Sequence, residues 1–340
     1  MITNASIHFV GNKSAEEGTI ISTSRMALDD GMRAILENHF LTPFTSEEYF
    51  QLYHDSGLEY NVVYGAVAQI FDAPETLYEQ SVNLAKYLYD QSTHPKIKGG
   101  EFYVVYFKDC FVGGETADAV GLFKSENKDS FLKVLIGGGG GGFSLDCEQG
   151  IPHKKLDKGC LIFNKDRDNG FVVAVVDNTN RGFEAQYWMD DFLHLRQRKD
   201  EYSNTHNVMA MAKSFVTQEL PKSFEVTKAD QIELLNKSLQ FFKEKDTFDM
   251  DAFAQEVIEQ PEVIESFQEY KRNYESENDI SIDDSFAISS YAFKKQQRSY
   301  KRVINLDKKI QIIINGNRDH IEQGEDERGK YYKVYYQEEE

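Results

Sequence analysis

The spacing of apolar side chains changes along the chain, and each change marks a different kind of element. The first hundred residues follow a mainly helical period. Ile7 and Phe9 suggest a short opening strand, and Leu28, Met32, Ile35, Leu36 and His39 then share one face of a helix that Ser24 can cap. Thr45 and Glu48 stand at capping-box spacing ahead of Tyr49, Phe50 and Tyr53, which predicts a short helix. Residues 62–71, VVYGAVAQIF, read as helix in this context, with strand as the alternative. Asp72-Ala-Pro-Glu75 offers a cap, a first-turn proline and a returning carboxylate before Leu77, Leu84, Ala85 and Leu88, predicting a helix over 74–91.

After Gly99-Gly100 the period shortens. Phe102–Phe107 (FYVVYF) is apolar at every position, as expected of a strand covered on both faces. Val120, Leu122 and Phe123 form its partner across a Gly113-Gly114 turn. Ser125–Leu135 reads as a short helix with Phe131 and Leu132 turned inward. Cys160–Phe163, Phe171–Val176 and Phe183–Trp188 supply three more strands, the last two joined by Asp177–Gly182, whose Asn and Gly suit a turn.

The helical period returns with His206–Glu219, which Pro221 should stop. Thr227 and Asp230 cap Gln231–Lys243, Asp249 precedes Phe253, Val257 and Ile258, and Pro261 opens Glu262–Tyr274. Arg302–Ile314 and Tyr331–Tyr336 revert to strands. The expected fold is α+β: a mostly antiparallel sheet covered by helices, with an acidic helical subdomain and a C-terminal strand pair. The expected division is an α+β core domain over 1–220, the acidic helical subdomain over 221–290 and a basic C-terminal strand unit over 291–340.

Composition narrows the class. A 340-residue chain with 40% hydrophobic and 13% aromatic residues has ample material for an ordered core. No apolar run approaches bilayer-spanning length, and the N-terminus shows no basic start followed by an apolar block, so neither a membrane span nor a secretory signal is expected. Three cysteines, Cys110, Cys147 and Cys160, share no CxxC spacing and suit reduced thiols in a cytoplasm.

Charge changes the picture most. The formal net charge is −19, which repels nucleic acid at long range. It is unevenly spread. Between Asp246 and Asp284, 13 Asp/Glu stand against Lys271 and Arg272, whereas Lys294–Lys309 holds 7 Lys/Arg against Asp307 alone.

Phe102-Tyr-Val-Val-Tyr-Phe107, Gly121-Leu-Phe-Lys-Ser-Glu126, Phe131-Leu132, Lys158-Gly-Cys-Leu-Ile-Phe-Asn164 and Tyr187-Trp188 together resemble the bacterial nucleoid-associated proteins of the NdpA type. The length, the helical lead-in and the strands after residue 300 suit that family over most of the chain. These motifs are structural and single out no catalytic residue. The resemblance implies a cytoplasmic protein of the bacterial nucleoid with DNA as its partner.

The remaining candidate chemistry is thin. Gly137–Gly142 lacks the Gly-Lys-Ser/Thr that a Walker A loop needs to reach phosphate and magnesium, and a flexible loop is the simpler reading. Cys110 or Cys160 with His194 could be imagined as a nucleophilic pair, but cysteines flanked by Tyr, Phe, Leu and Ile usually serve as core hydrophobes. The eight histidines show no zinc spacing, and Asp190 with His194 is two ligands short of a site. No catalytic residue, metal ligand or cofactor is expected.

The best candidate is the basic strip Lys294, Lys295, Arg298, Lys301, Arg302, Lys308 and Lys309, with Tyr291, Phe293 and Tyr300 interleaved. Cations at this density can neutralise DNA phosphates and release their counterions without reading bases. The ordinary alternative is that they pair internally with the acidic 246–284 segment. Two functional readings follow: a non-enzymatic protein binding DNA through this strip, or an acidic adaptor docking a chromosome-processing protein on the nucleoid. An enzyme, a nuclease or a cysteine hydrolase, ranks below both.

Overall fold

The doubly apolar run at residue 102 belongs to a 13-residue strand, and both of its faces are covered. The computed structural model describes residues 1–112, 115–136, 142–179, 186–278, 280–301, 303–307, 309–314 and 320–338. They divide into two compact units, Met1–Arg198 and Lys199–Glu340.

The first unit contains strands β1 (Ile2–Val10), β2 (Thr19–Ile21), β3 (Phe50–Leu52), β4 (Gly100–Val112), β5 (Glu115–Ser125), β6 (Asp129–Ile136), β7 (Phe143–Gly150), β8 (Lys158–Phe163), β9 (Val172–Asp177) and β10 (Leu195–Gln197). Its helices are α1 (Asp30–Leu41), α2 (Val62–Asp72) and α3 (Leu77–Gln91). Eight strands form one antiparallel sheet in the order β10-β3-β9-β8-β5-β4-β1-β2. Because strand side chains alternate between faces, the FYVVYF run splits in two. Phe102, Val104 and Tyr106 join the core formed with α2 and α3, while Tyr103, Val105 and Phe107 join the core around Phe40 of α1. Val120 and Leu122, Cys160 and Ile162 repeat the first set on β5 and β8, and Ala119, Phe123, Leu161 and Phe163 the second. Phe40 stacks on Phe123 with ring centroids 4.0 Å apart. A Cβ at Gly121, opposite Val105, would lie 2.4 Å from the Phe123 ring, so a side chain there would displace that ring.

Strands β6 and β7 make a separate two-stranded ribbon. The helix expected over Ser125–Leu135 is therefore corrected: Phe131 and Leu132 are strand residues and exposed. The register places Leu132 opposite Cys147, Val134 opposite Leu145 and Ile136 opposite Phe143, so six apolar side chains share one face. The five large ones are between 58% and 77% exposed. Phe131/Glu148, Lys133/Asp146 and Leu135/Ser144 occupy the mixed opposite face.

Four other expectations are corrected in this unit. The helix around Thr45–Tyr53 is instead the short strand β3, paired with β9 and β10. Asp29, not Ser24, caps α1, accepting from the Met32 N–H at 2.7 Å. Asp72 ends α2 and takes a bidentate bond from Arg167 at 2.7 and 2.8 Å, while Pro74–Thr76 forms a 3₁₀ lead into α3. Of the strand expected at Phe183–Trp188, residues 183–185 lie outside the described residues and Gln186–Trp188 is a 3₁₀ turn. The turns at Gly113-Gly114 and over residues 180–182 also lie outside them. The helix over 62–71 and the β4–β5 pairing stand as expected.

The second unit is helical with short hairpins: α4 (Glu201–Ser214), α5 (Leu220–Ser223), α6 (Lys228–Glu244), β11 (Thr247–Asp249), α7 (Met250–Phe253), α8 (Pro261–Asn278), β12 (Ser285–Ala287), α9 (Ser290–Gln296), β13 (Val303–Leu306), β14 (Ile310–Ile313), β15 (Ile321–Asp326) and β16 (Gly329–Val334). Thr227 and Asp230 cap α6 reciprocally, as their spacing predicts. Pro221 does not stop the preceding helix. It sits in the first turn of α5, where its missing N–H costs nothing. Val208, Met211 and Phe215 from the α4 side pack with Phe241, Phe248, Phe253, Val257 and Phe267 in one core. The acidic 246–284 segment thus carries much of this unit's apolar interior. The architecture is α+β with a mostly antiparallel sheet, and the C-terminal strands form two hairpins, β13–β14 and β15–β16.

Candidate nucleic-acid interface

Helix α9 begins where the Ser289 hydroxyl accepts the Ala292 N–H at 3.2 Å, and it delivers Lys294 and Lys295 into its last turn. A 3₁₀ turn, Gln297–Ser299, continues it and carries Arg298. Lys294 and Arg298, four residues apart on this continuous stretch, lie on one side of it. Tyr300 then dives into the core and donates to the Met209 carbonyl at 2.6 Å, which fixes where Lys301 leaves the surface. Lys309 stands at the turn between β13 and β14. Arg302 and Lys308 lie outside the described residues.

Lys294, Lys295, Arg298, Lys301 and Lys309 are all exposed. Lys295 donates to the Tyr202 hydroxyl at 3.0 Å and sits over its ring. Among the described residues no ion pair engages Lys294, Arg298, Lys301 or Lys309. Acids of the 246–284 segment pair elsewhere: Glu259 with Lys237 at 2.8 Å, Glu256 with Lys245 at 2.9 Å and Asp284 with Lys271 at 2.7 Å. The interleaved aromatics face inward. Phe293 packs on the core, Tyr300 is buried and Tyr291 lies against Tyr202. What the strip presents to solvent is therefore charge without a stacking platform for bases.

A second cationic feature, absent from the expectations, occupies one end of the first unit's sheet. Register sets Lys124 of β5 directly opposite Lys158 of β8, and Lys158 opposite Asp177 of β9. Both lysines are buried, 0% and 1% exposed, an arrangement that like charges disfavour unless neutralised. Tyr187 lies between them, its ring centroid 5.5 and 5.3 Å from the two ammonium groups. Lys158 donates to both Asp177 oxygens at 2.9 Å and to Thr179. Lys124 donates to the Lys98 carbonyl at 2.8 Å and meets Glu126 at 3.3 Å, while the Tyr187 hydroxyl donates to Glu126 at 2.8 Å. Burial holds the Lys124 ammonium below the usual lysine range, with Glu126 partly offsetting it, and burial pushes the Tyr187 phenol well up. Asp157 closes the network, accepting the Glu126 and Asn127 backbone N–H groups at 2.8 Å each. The only sequence signal was two lysines inside apolar strand motifs, and finding their significance required the β5–β8 register.

The catalytic candidates disperse. Cys160 lies in the core on the α2–α3 face and Cys110 in the core on the α1 face, and burial raises both thiols. His194 meets the Tyr87 hydroxyl at 3.1 Å and the His54 ring instead of a cysteine. Among the described residues no group of three His, Cys, Asp or Glu side chains is placed to hold a metal. Of the hexaglycine run, residues 137–141 lie outside the described residues.

The fold and the described strip residues define an acidic α+β protein with a locally cationic, solvent-facing surface. Residues 6–334 match the model of the family described as nucleoid-associated protein YejK, and the chain belongs to that family. No curated protein matches the chain. Membership makes it a protein of the bacterial nucleoid, in the cytoplasm where the nucleoid lies.

Proposed function

We propose that the protein binds duplex DNA directly and without sequence preference through Lys294, Lys295, Arg298, Lys301, Arg302, Lys308 and Lys309, performing no catalysis. The observation that carries this reading is that Lys294, Arg298, Lys301 and Lys309 are exposed and take part in no ion pair among the described residues. Family membership in the nucleoid supports it. The inward-facing aromatics favour phosphate contact over base reading. Fluorescence anisotropy with a short duplex across a salt series tests it. Four phosphate contacts give a slope of about −4 in log affinity against log salt. Lys301→Glu with Lys309→Glu should flatten that slope by about two and weaken binding on any duplex sequence. A double variant that binds like the wild type overturns the proposal.

A second reading rests on helix α8. Glu262, Glu265 and Glu269 are exposed at i, i+3 and i+7 on one face, and among the described residues none is in an ion pair. That face suits docking of a basic chromosome-processing protein. It predicts co-purification of a basic partner that is lost when all three become Gln, with DNA binding retained.

A further inference from the structure

The only Lys, Arg, Asp or Glu residues less than 9% exposed among the described residues are Lys124, Asp157 and Lys158, and all three belong to the network described above. Beside it lies a polar pocket of about 370 Å³ whose lining includes Lys96, Lys98, Lys155, Glu126, Asn127 and Thr179. The network and the pocket share residues. Glu126 and Thr179 line the pocket while holding Lys124 and Lys158 from behind, and Lys98 gives its carbonyl to Lys124 and its ammonium to Asn127 at 2.8 Å. Among the described residues the lining carries three lysines and one carboxylate, and that carboxylate is already engaged by Lys124 and the Tyr187 hydroxyl. A pocket of net positive lining in a chain of charge −19 is a site where an anion relieves repulsion.

We propose that this pocket binds a phosphoryl group. Lysine ammoniums act as point-charge phosphate ligands with several donors each, and Lys98 retains donors beyond its bond to Asn127. Lys155 is exposed at the rim. The buried pairs behind hold the rim in place, so the cations are gathered before the ligand arrives. The phosphoryl group can belong to a free phosphate compound or to a DNA backbone, and the proposal does not depend on the C-terminal strip.

Thermal unfolding with pyrophosphate, against chloride at matched ionic strength, tests the pocket. The wild type should gain about 3 °C once pyrophosphate exceeds its Kd tenfold, and Lys98→Gln with Lys155→Gln should lose that gain. Circular dichroism checks that the variant folds, and both substitutions are at exposed positions. The same variant, its strip intact, is then titrated with duplex DNA. A salt slope flatter by about two assigns the site to the DNA backbone, and an unchanged slope assigns it to free phosphate compounds. No gain in the wild type, or the same gain in the variant, overturns the proposal. Failure of the strip reading would leave the thermal measurement untouched.

Discussion

His8 is a residue whose hydrogen bonds settle its charge. Its Nδ1 faces the Ser22 N–H at 3.2 Å and so must accept, which leaves Nε2 to donate to the Ser81 hydroxyl at 2.8 Å. Protonation would put two N–H groups nose to nose, and burial already holds the ring below the usual histidine range. His39 is shifted the same way by burial. In the unfolded chain both take up protons near 6.5, before the folded protein does, so stability is full above that pH and falls as pH drops through it. The decline ends once the folded-state values are passed. Urea unfolding between about pH 7 and pH 5 should show that slope, and His8→Gln should make it shallower. An unchanged slope would mean that His8 is not buried neutral.

Lys158 and Asp177 give a second residue-scale test. Asp177→Ala leaves the buried ammonium without its carboxylate and should cost about 3 kcal/mol in chemical unfolding. Lys158→Met removes the charge itself and should cost less, because the carboxylate left behind is better placed for hydration. It also removes the like charge that helps depress Lys124. If the two substitutions cost the same, the loss is one of packing and not of charge compensation.

At the scale of elements, the legible parts were those with one dominant signal. The FYVVYF run could only be a strand covered twice, and the sheet cores divide its residues by parity. Thr227 with Asp230 announced α6, and Thr227→Ala should cost about 1 kcal/mol in urea unfolding, since it removes the hydroxyl that accepts the Asp230 N–H while the backbone N–H of residue 227 still donates to Asp230. A cost near zero would assign the helix start to packing alone. Where two periods fitted, the wrong one prevailed. Phe131, Leu132 and Leu135 fit a helical stripe, but Leu132, Val134 and Ile136 fit an alternation of 2 equally well, and pairing with Phe143–Gly150 decided it. Strand β3 is three residues long and exists because β9 and β10 flank it, which no local pattern expresses. Of the candidate site, the charge strip was readable as composition. The inward turn of Tyr291, Phe293 and Tyr300 and the alignment of Lys124 with Lys158 required the fold.

At the scale of the molecule, the question is how an acidic chain meets a polyanion. The 246–284 segment is no removable shield, since Phe248, Phe253, Val257 and Phe267 belong to the second unit's core. Its influence on the strip is therefore a matter of field and has to be tested by neutralising surface charge. Glu262, Glu265 and Glu269 lie in the same unit as the strip and repel an approaching phosphate backbone over a range set by salt, about 30 Å at 0.01 M and 10 Å at 0.1 M. Changing all three to Gln should raise duplex affinity by about fourfold at the lower salt and hardly at all well above the higher one. Anisotropy titrations of variant and wild type at both concentrations measure the difference. Equal affinities at low salt would show that the strip engages DNA beyond the reach of helix α8's charge. The acids would then be free to serve a basic partner while the cations hold the chromosome. An increase that persists at high salt would point elsewhere, to a direct contact between these glutamates and the duplex, because a screened field cannot act at that range.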